Sequence, residues 1–336
     1  MDIKKIAAVA AALCISLGIS GLLAPDVQAI GDLYEMSEAY KTGKYYENLK
    51  DVSFGGDQAI DVVAVALSQI GYHEGDSDND FDGAIDTGSR DFVEYNLMFG
   101  KLDNGQGNGV SYGYSWCASF ATWCLRHAGV SEEQSGQTRP ATYRSCWQWR
   151  KACVESGIYR EKQGHQPQMG DIIFFKDVDD ASIKVDSSHV GIVLFSDENN
   201  VYTVEGNANA KLGSPAVGDC VAVKSYPLDS KYIVGYALPK YENTEEKHFW
   251  GWQDVYENSW KITSLDKLFD SAKSGAQIRP VWRDVPLETV SVLELVGVIL
   301  VIGGFSAGVA VLLINIFGKK LTNPKNKPQN QESTNE

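Results

Sequence analysis

The stretch His189–Ala208, HVGIVLFSDENNVYTVEGNA, has the pattern of a β-hairpin. Two runs rich in Val, Ile, Phe and Tyr flank a five-residue polar loop, Ser196–Asn200, and apolar runs bounded by turn residues are typical of strands. Three more runs of this kind lie nearby in the chain: Gly170–Asp177, Cys220–Tyr226 and Tyr232–Pro239. The sequence therefore predicts a sheet of consecutive antiparallel strands.

Helices are predicted ahead of these strands. Apolar residues recur at helical spacing within 57–72 and again within 117–128. A further helix is expected over Thr142–Ser156, ending before Gly157. Because the helices precede the strands, the sequence predicts an α+β domain over residues 57–240, with N-terminal helices packed on an antiparallel β-sheet. An N-terminal extension (residues 30–56) precedes this domain. A charged, tryptophan-containing connector (residues 241–290) follows it, and the pattern leaves its packing open.

The first 29 residues have the composition of a secretory signal peptide. Lys4 and Lys5 precede an apolar run, Ile6–Leu23, and the segment ends in a Val-x-Ala cleavage pattern at Val27 and Ala29. This order of a charged, an apolar and a small-residue region predicts export and cleavage after Ala29. The alternative is a signal anchor that stays in the membrane.

A second apolar segment lies near the other end of the chain. Leu295–Phe317 contains no charged residue and is long enough to cross about 30 Å of hydrocarbon, which predicts one C-terminal transmembrane helix over residues 293–317. Lysines follow it at once, so the tail, residues 318–336, is expected in the cytoplasm and the domain outside a single-pass cell-membrane protein. Gly304 and Gly308 form a G-x-x-x-G pair that could support a weak homodimer.

The exported part, residues 30–294, is strongly acidic. It contains 24 of the 30 basic residues and 40 of the 44 acidic residues, and its net charge is −16. A surface of this sign repels phosphate backbones, so we expect no nucleic-acid partner.

Five cysteines remain after removal of the signal peptide: Cys117, Cys124, Cys146, Cys153 and Cys220. An odd number in an exported chain leaves at least one thiol unpaired or bridged to another chain. Cys146 and Cys153 are seven residues apart on the predicted helix. The rise of about 10 Å between them would exceed disulfide reach.

Cys117 is the candidate nucleophile among these thiols. It lies at the start of its predicted helix, where free N–H groups stabilise a thiolate. Cys124, two turns further on, continues the apolar stripe of a buried helix face. We therefore expect Cys117 to meet a substrate and Cys124 to lie in the core.

His189 is the candidate base, because the other four histidines lie in polar or helix-end contexts that favour the surface. If Phe195 pairs with Val201 in the hairpin, Asn207 lies opposite His189. Glu205 then lies one diagonal away on the same face. A register slip by two would exchange these two residues but keep both near the imidazole. A carboxylate or amide there would orient the imidazole, as the third member of a catalytic triad does.

Five segments resemble successive motifs of the CHAP family, the cysteine, histidine-dependent amidohydrolases/peptidases: YGYSWCASFATWCLRHAGV, QMGDIIFF, SSHVGIVLF, VYTVEGNA and YIVGYALP. The resemblance covers about residues 57–239 and implies a papain-like α+β fold and cleavage of amide bonds in bacterial peptidoglycan. It implies that Cys117 is the nucleophile, His189 the base, Glu205 its orienter and Asn207 a supporting polar residue. At the third position, members of the family carry either acidic or amide residues.

The expected activity is hydrolysis of a peptide or N-acyl bond through a thioester on Cys117. The Cys117 N–H and one donor from the preceding loop, Tyr112 or Tyr114, would hold the oxyanion. The chemistry requires no cofactor. The alternatives are an inactive wall-binding or scaffolding relative, and a transpeptidase that uses the same cysteine.

An acidic loop, Gly75–Arg90, follows the first predicted helix and resembles half of a calcium loop. Asp78, Asp80 and Asp82 are followed by Gly83, but the twelfth position is Ser89 rather than an acidic residue. The pattern is compatible with calcium or with a solvated acidic loop.

Overall fold

The computed structural model describes residues 33–84, 88–103, 109–176, 187–209, 218–244, 247–255 and 265–284. The predicted signal peptide, transmembrane helix, cytoplasmic tail and G-x-x-x-G pair lie outside these residues. Within the described ranges, no helix is long and apolar enough to cross a membrane.

Helices occupy the first half of the described chain, as predicted, and one more lies near its end. The helices are α1 Glu38–Lys41, α2 Lys44–Lys50, α3 Gln58–Ser68, α4 Glu94–Leu97, α5 Cys117–His127, α6 Cys146–Glu155 and α7 Leu265–Lys273, with a 3-10 helix at Pro140–Tyr143. The strands are β1 Leu102–Asp103, β2 Val110–Ser111, β3 Tyr159–Glu161, β4 Ile172–Phe175, β5 His189–Ser196, β6 Asn200–Ala208, β7 Cys220–Pro227, β8 Ile233–Ala237, β9 His248–Asp254 and β10 Ile278–Arg283.

The main sheet has six strands in the order β3-β8-β4-β5-β6-β7. Every neighbouring pair in it is antiparallel, which confirms the predicted α+β class and antiparallel sheet. All five predicted strands are present. The edge strand β3 was not predicted, because three residues of mixed polarity carry too little periodic signal.

The sheet buries both of its faces. Ile172 and Phe174 of β4 pack in the core under the helices, and Ile173 and Phe175 pack in a smaller cluster on the opposite face. This alternation follows from the two-residue period of a strand. On the first face α5 packs against β5 and β6, and α3 packs against α5. The N-terminus of α5 is thereby brought to the β5–β6 hairpin.

The extension before residue 57 belongs to the same core. Tyr40 and Leu49, from α1 and α2, are buried, and the Tyr40 hydroxyl donates to Gln69 Oε1 at 3.0 Å, just beyond α3. The described part of the connector also packs on the domain: Phe269 of α7 contacts the ring of Tyr202, with centroids 5.0 Å apart. Phe269 therefore contributes to the packing of the domain.

The helix predicted over Thr142–Ser156 is wrong at its start. Residues Pro140–Tyr143 form a 3-10 turn, and α6 begins only at Cys146. Ser145 caps α6, since its Oγ accepts the N–H of Gln148 at 3.4 Å. Cys146 thus occupies the first position of a helix rather than its interior.

Candidate active site

Cys117 is the first residue of α5, and its position depends on a close approach between α5 and β6. A Cβ on Gly206 of β6 would lie 2.6 Å from Phe120 Cβ and 2.7 Å from Trp116 Cζ3. Since real side chains do not approach so closely, glycine is needed there for α5 to contact the strand. Trp116, just before the helix, is itself anchored by an Nε1–H bond to Glu74 Oε2 at 2.9 Å.

His189 and Glu205 form a buried pair on the neighbouring strands β5 and β6. His189 Nε2 lies 2.9 Å from Glu205 Oε2, and the two residues are 2% and 0% exposed. Thr203 Oγ1 donates to Glu205 Oε1 at 2.6 Å, and the Tyr226 hydroxyl donates to Glu205 Oε2 at 3.1 Å. The three contacts hold the carboxylate in one orientation, which in turn holds the imidazole.

A glycine opposite Glu205 makes room for this carboxylate. A Cβ on Gly191 of β5 would lie 2.6 Å from Glu205 Cγ. The hairpin pairs Ile192 with Val204 and then, after a bulge, Ser196 with Val201. The predicted Phe195–Val201 pair is therefore wrong. Further from the hairpin loop, the Ile192–Val204 pair keeps the predicted register. That register brings Glu205 within hydrogen-bond distance of His189.

The side-chain amide of Asn207, the residue predicted opposite His189, forms its hydrogen bonds with the loops before α5. Its Nδ2 donates to Asp91 Oδ1 at 3.1 Å and to Ser115 Oγ at 3.2 Å. The β6–β7 ladder is irregular between Glu205 and Ala208, and Asn207 has φ 53°, so its side chain leaves the regular strand alternation. Asn207 therefore tethers β6 to the loops before α5 rather than to the imidazole.

Cys117 and His189 each stabilise the charged form of the other. The pKa of Cys117 is well below the ordinary value, because the Cys146 thiol donates to it and, despite its burial, His189 stabilises the thiolate. The Ala118 N–H at the start of α5 adds to this stabilisation. Burial lowers the pKa of His189, but hydrogen bonds and charge interactions with Cys117 and Glu205 outweigh burial and raise it to about 10. Both shifts favour a thiolate–imidazolium pair at neutral pH.

The second ring nitrogen of His189, Nδ1, is buried and has no well-aligned hydrogen bond among the described residues. Since Glu205 occupies Nε2, Nδ1 is the nitrogen available for proton exchange with the thiol. A thiol exchanges its proton with such a base when a third group fixes the tautomer of the base.

Two residues near the nucleophile were missed by sequence reasoning. Cys146 Sγ lies 3.4 Å from Cys117 Sγ, and the signal that could have placed it at a helix start is the preceding Ser145. Asp91, with φ 62°, contacts Asn207 and interacts with Cys117. Burial raises the pKa of Asp91 while the Asn207 bond opposes this rise. No local sequence pattern marks Asp91.

Tyr114 and Tyr112 occupy the loop before α5. The Tyr114 hydroxyl lies 3.1 Å from Asn96 O and 3.0 Å from Gly100 O, and its N–H donates to Tyr112 O at 3.0 Å. Both donors of Tyr114 are thus engaged in holding the loop. The ring of Tyr112 packs edge-on against Phe81, with centroids 6.1 Å apart. An oxyanion role for Tyr112 or Tyr114 stays a prediction.

The acidic loop lines a cavity of about 590 Å³, to which Asp91 also contributes. Asp78 pairs with Lys101 Nζ at 2.6 Å, Asp80 accepts the Asp76 N–H at 2.8 Å, and Asp82 accepts the Ala84 N–H at 2.8 Å. In the described part of the chain, no three His, Cys, Asp or Glu side chains are grouped to hold a metal ion. Calcium binding at this loop stays a prediction.

The sequence also predicted a core position for Cys124 and surface positions for His127 and His165. Cys124 is fully buried as predicted, and burial raises its pKa well above the ordinary value. The prediction that His127 is on the surface is wrong: it is 6% exposed, and burial lowers its pKa to about 4. His165 bonds to Asp171 at 2.7 Å. None of these three interacts with Cys117 in the contacts described.

A thiol of lowered pKa beside an imidazole that a buried carboxylate orients is the arrangement of enzymes with a cysteine nucleophile for acyl transfer. The family model of the CHAP domain matches residues 109–207. Residues 109–207 are thus similar to the CHAP domain, which defines a papain-like family of cysteine- and histidine-dependent amidohydrolases and peptidases. The matched range contains Cys117, His189 and Glu205. No curated protein and no solved structure matches the chain significantly.

Proposed function

We propose that this protein is a peptidoglycan hydrolase, an amidase or endopeptidase that acts through a Cys117 thioester. The observation that carries the proposal is the meeting of Cys117, His189 and Glu205 in one buried site inside the CHAP match. Peptidoglycan is the substrate class that the family suggests.

The first half of the reaction forms the thioester. The Cys117 thiolate attacks the amide carbonyl carbon. The carbonyl oxygen becomes an oxyanion beside the helix N-terminus, where the Cys117 N–H would donate to it. His189 Nδ1 then gives its proton to the leaving amine as the C–N bond breaks. Glu205 keeps the imidazolium oriented throughout, because its bond to Nε2 leaves only Nδ1 to carry the exchanged proton.

The second half returns the enzyme to its starting state. His189, now neutral, takes a proton from water as the water oxygen attacks the thioester carbonyl. The C–S bond breaks, the acid product leaves, and the thiolate–imidazolium pair is restored. His189 therefore carries the proton in both halves of the cycle.

We further propose that the catalytic domain acts outside the cell on a single-pass membrane anchor. Support comes from the sequence of residues 1–29 and 293–317 and from the basic tail that follows. Wall polymer is the extracellular substrate that such an anchored domain would meet.

The test is release of soluble fragments from purified peptidoglycan by the full-length protein, followed by mass spectrometry of the fragments. We expect Cys117→Ala and His189→Ala to reduce release to background, and the matched control Cys220→Ala to retain it. Fragment masses assign the bond as glycan–peptide or peptide–peptide. Retained lysis by Cys117→Ala would refute the proposal.

The same assay separates the two rival functions. An added primary amine that appears covalently in the products would identify a transpeptidase, because the thioester would then be captured by the amine rather than by water. Binding of the wild-type protein to peptidoglycan without fragment release, together with a Cys117 alkylation rate no higher than that of Cys124, would identify an inactive binding module.

A further inference from the structure

The thiol of Cys146 lies beside the nucleophile. The Sγ atoms of Cys117 and Cys146 are 3.4 Å apart, and the two residues are 5% and 6% exposed. Each is the first residue of its helix, α5 and α6 respectively. The contact therefore joins the N-termini of two helices that are otherwise separated by the loop and 3-10 turn of residues 128–145.

Cys146 takes no part in the proton transfers of the catalytic cycle, although its thiol donates a hydrogen bond to the Cys117 thiolate. Proton exchange needs only Cys117 and His189, and the third role belongs to Glu205. In a family defined by one cysteine and one histidine, a second thiol in contact with the nucleophile needs its own explanation.

This thiol pair stands apart from the other cysteines. Cys153 Sγ lies 3.8 Å from Ser135 O, and Cys220 Sγ lies 3.2 Å from Ala208 O, while Cys124 is enclosed in the core. Within the part of the chain that the structure describes, hydrogen bonding pairs the nucleophile with Cys146 alone among the cysteines.

The separation is short enough for a bond to form with little movement. A disulfide has an S–S distance of about 2.05 Å, so the two sulfur atoms must approach by roughly 1.4 Å. Rotation of the two side chains and small shifts of the helix ends would supply this approach. Exported proteins also meet compartments in which disulfides form and persist.

We propose that Cys146 is a resolving cysteine that forms a reversible disulfide with Cys117 under oxidation. This inference rests on the proposed function for its effect on activity, but not for the bond itself. The disulfide switches the enzyme off and keeps the nucleophile from irreversible oxidation.

The chemistry balances with a peroxide as the oxidant. The Cys117 thiolate attacks hydrogen peroxide, which with one proton gives a sulfenic acid on Cys117 and one water. The Cys146 thiol then attacks the sulfenic sulfur, the S–S bond forms, and a second water leaves. In total, two thiols lose two hydrogens and one peroxide is reduced to two waters. A dithiol reductant reverses the change by thiol–disulfide exchange.

The bond itself is tested on the wild-type, full-length protein. The protein is treated with hydrogen peroxide, denatured, alkylated and digested with trypsin, which cuts after Lys101, Arg126, Arg144 and Arg150. We expect residues 102–126 and 145–150 to be joined, two hydrogens lighter than the sum of the two peptides. Further digestion after aromatic residues separates Cys117 from Cys124. Absence of the cross-link, or a bond from Cys146 to Cys124, would overturn the proposal.

The switch is tested by recovery of wall lysis. After peroxide treatment, wild-type activity should fall in proportion to the cross-linked fraction and return with dithiothreitol. Cys146→Ser should lose activity that dithiothreitol no longer restores, since Cys117 then proceeds to the sulfinic acid, which mass spectrometry detects. The control Cys220→Ser should behave as the wild type. Full recovery of Cys146→Ser would overturn the resolving role.

The two proposals can fail separately. If the Cys117–Cys146 disulfide forms but the reduced protein releases no fragments from peptidoglycan, the disulfide stands and the hydrolase proposal is wrong. If the reduced protein is active and its peroxide-treated form carries only sulfenic or sulfinic acid on Cys117, the hydrolase stands and the disulfide is wrong.

Discussion

The substitution Glu205→Gln tests the role of the negative charge that is hydrogen-bonded to the His189 imidazole. The glutamine keeps the shape of the side chain and can turn its oxygen toward His189 and Tyr226 and its amide toward Thr203, whose hydroxyl can accept as well as donate. The substitution therefore removes one negative charge from a position that is 0% exposed and leaves the packing in place.

The size of the effect follows from the contacts of the carboxylate. Glu205 accepts from His189 at 2.9 Å in a site that is buried from solvent. A hydrogen bond to a charged group contributes about 1.5–3 kcal/mol, and each 1.4 kcal/mol corresponds to about a factor of 10 in rate. We expect kcat/KM for wall-fragment release to fall by roughly 10- to 100-fold.

The pH profile gives a second readout that a structural defect would not produce. In the wild type the imidazolium is lost as pH rises through about 10, so activity should hold across neutral pH and decline on the alkaline side. Removing the carboxylate lowers the pKa of His189, because one of the contacts that stabilise its charged form is gone. The alkaline limb of Glu205→Gln should therefore shift to lower pH.

The assay is the initial rate of release of dye-labelled peptidoglycan fragments between pH 6 and 10.5, with thermal unfolding as a check on folding. Tyr226→Phe is the matched control, since it removes one hydrogen bond to Glu205 but keeps the His189–Glu205 charge pair. A neutral hydrogen bond contributes about 1 kcal/mol, so its loss should stay below about tenfold. A folded Glu205→Gln protein with the rate and the alkaline limb of the wild type would refute the reasoning.

Three further perturbations test how the site is assembled. Gly191→Ala places a Cβ 2.6 Å from Glu205 Cγ, and overpacking of about 1–3 kcal/mol should lower fragment release by at least about fivefold; unchanged release would show that the strand yields freely. Gly206→Ala adds a Cβ that would push α5 away from β6. We expect it to lower both the Tm, measured by calorimetry, and the release of fragments. An unchanged Tm would contradict the argument that α5 and β6 must approach closely here. Iodoacetamide should label Cys117 quickly at pH 7, and in His189→Asn the labelling should become slower and more steeply dependent on pH; identical profiles would exclude the thiolate–imidazolium pair.

The β5–β6 hairpin shows that a pattern of apolar residues predicts strands but not every pair between them. Runs rich in Val, Ile, Phe and Tyr that are bounded by turn residues predict both strands of His189–Ala208, and both are present. The predicted register holds at Val193–Thr203 but fails at Phe195, where a bulge shifts the pairing by one residue. Bulges depend on which side chains pack against the sheet, and a pattern of apolar residues in one chain segment does not contain that information.

Cys117 and Cys146 show the same limit in the site. The helical stripe from Cys117 separates the candidate nucleophile from Cys124, and the structure buries Cys124 as expected. The pattern around Cys146 predicts a helix interior, whereas the 3-10 turn and the Ser145 cap put it at a helix start. That change of a single turn brings its thiol to 3.4 Å from Cys117.

The sequence by itself determined the order of helices and strands, the acidic charge and the candidates Cys117, His189 and Glu205. Each of these depends on residues close in the chain or on a resemblance to a family. The tertiary structure alone decided that Asn207 binds Asp91, that Gly191 and Gly206 make room for Glu205 and α5, and that Cys146 meets the nucleophile. The reason is physical: such contacts join residues from 14 to 116 positions apart in the sequence. Only the packing of helices on the sheet brings them together.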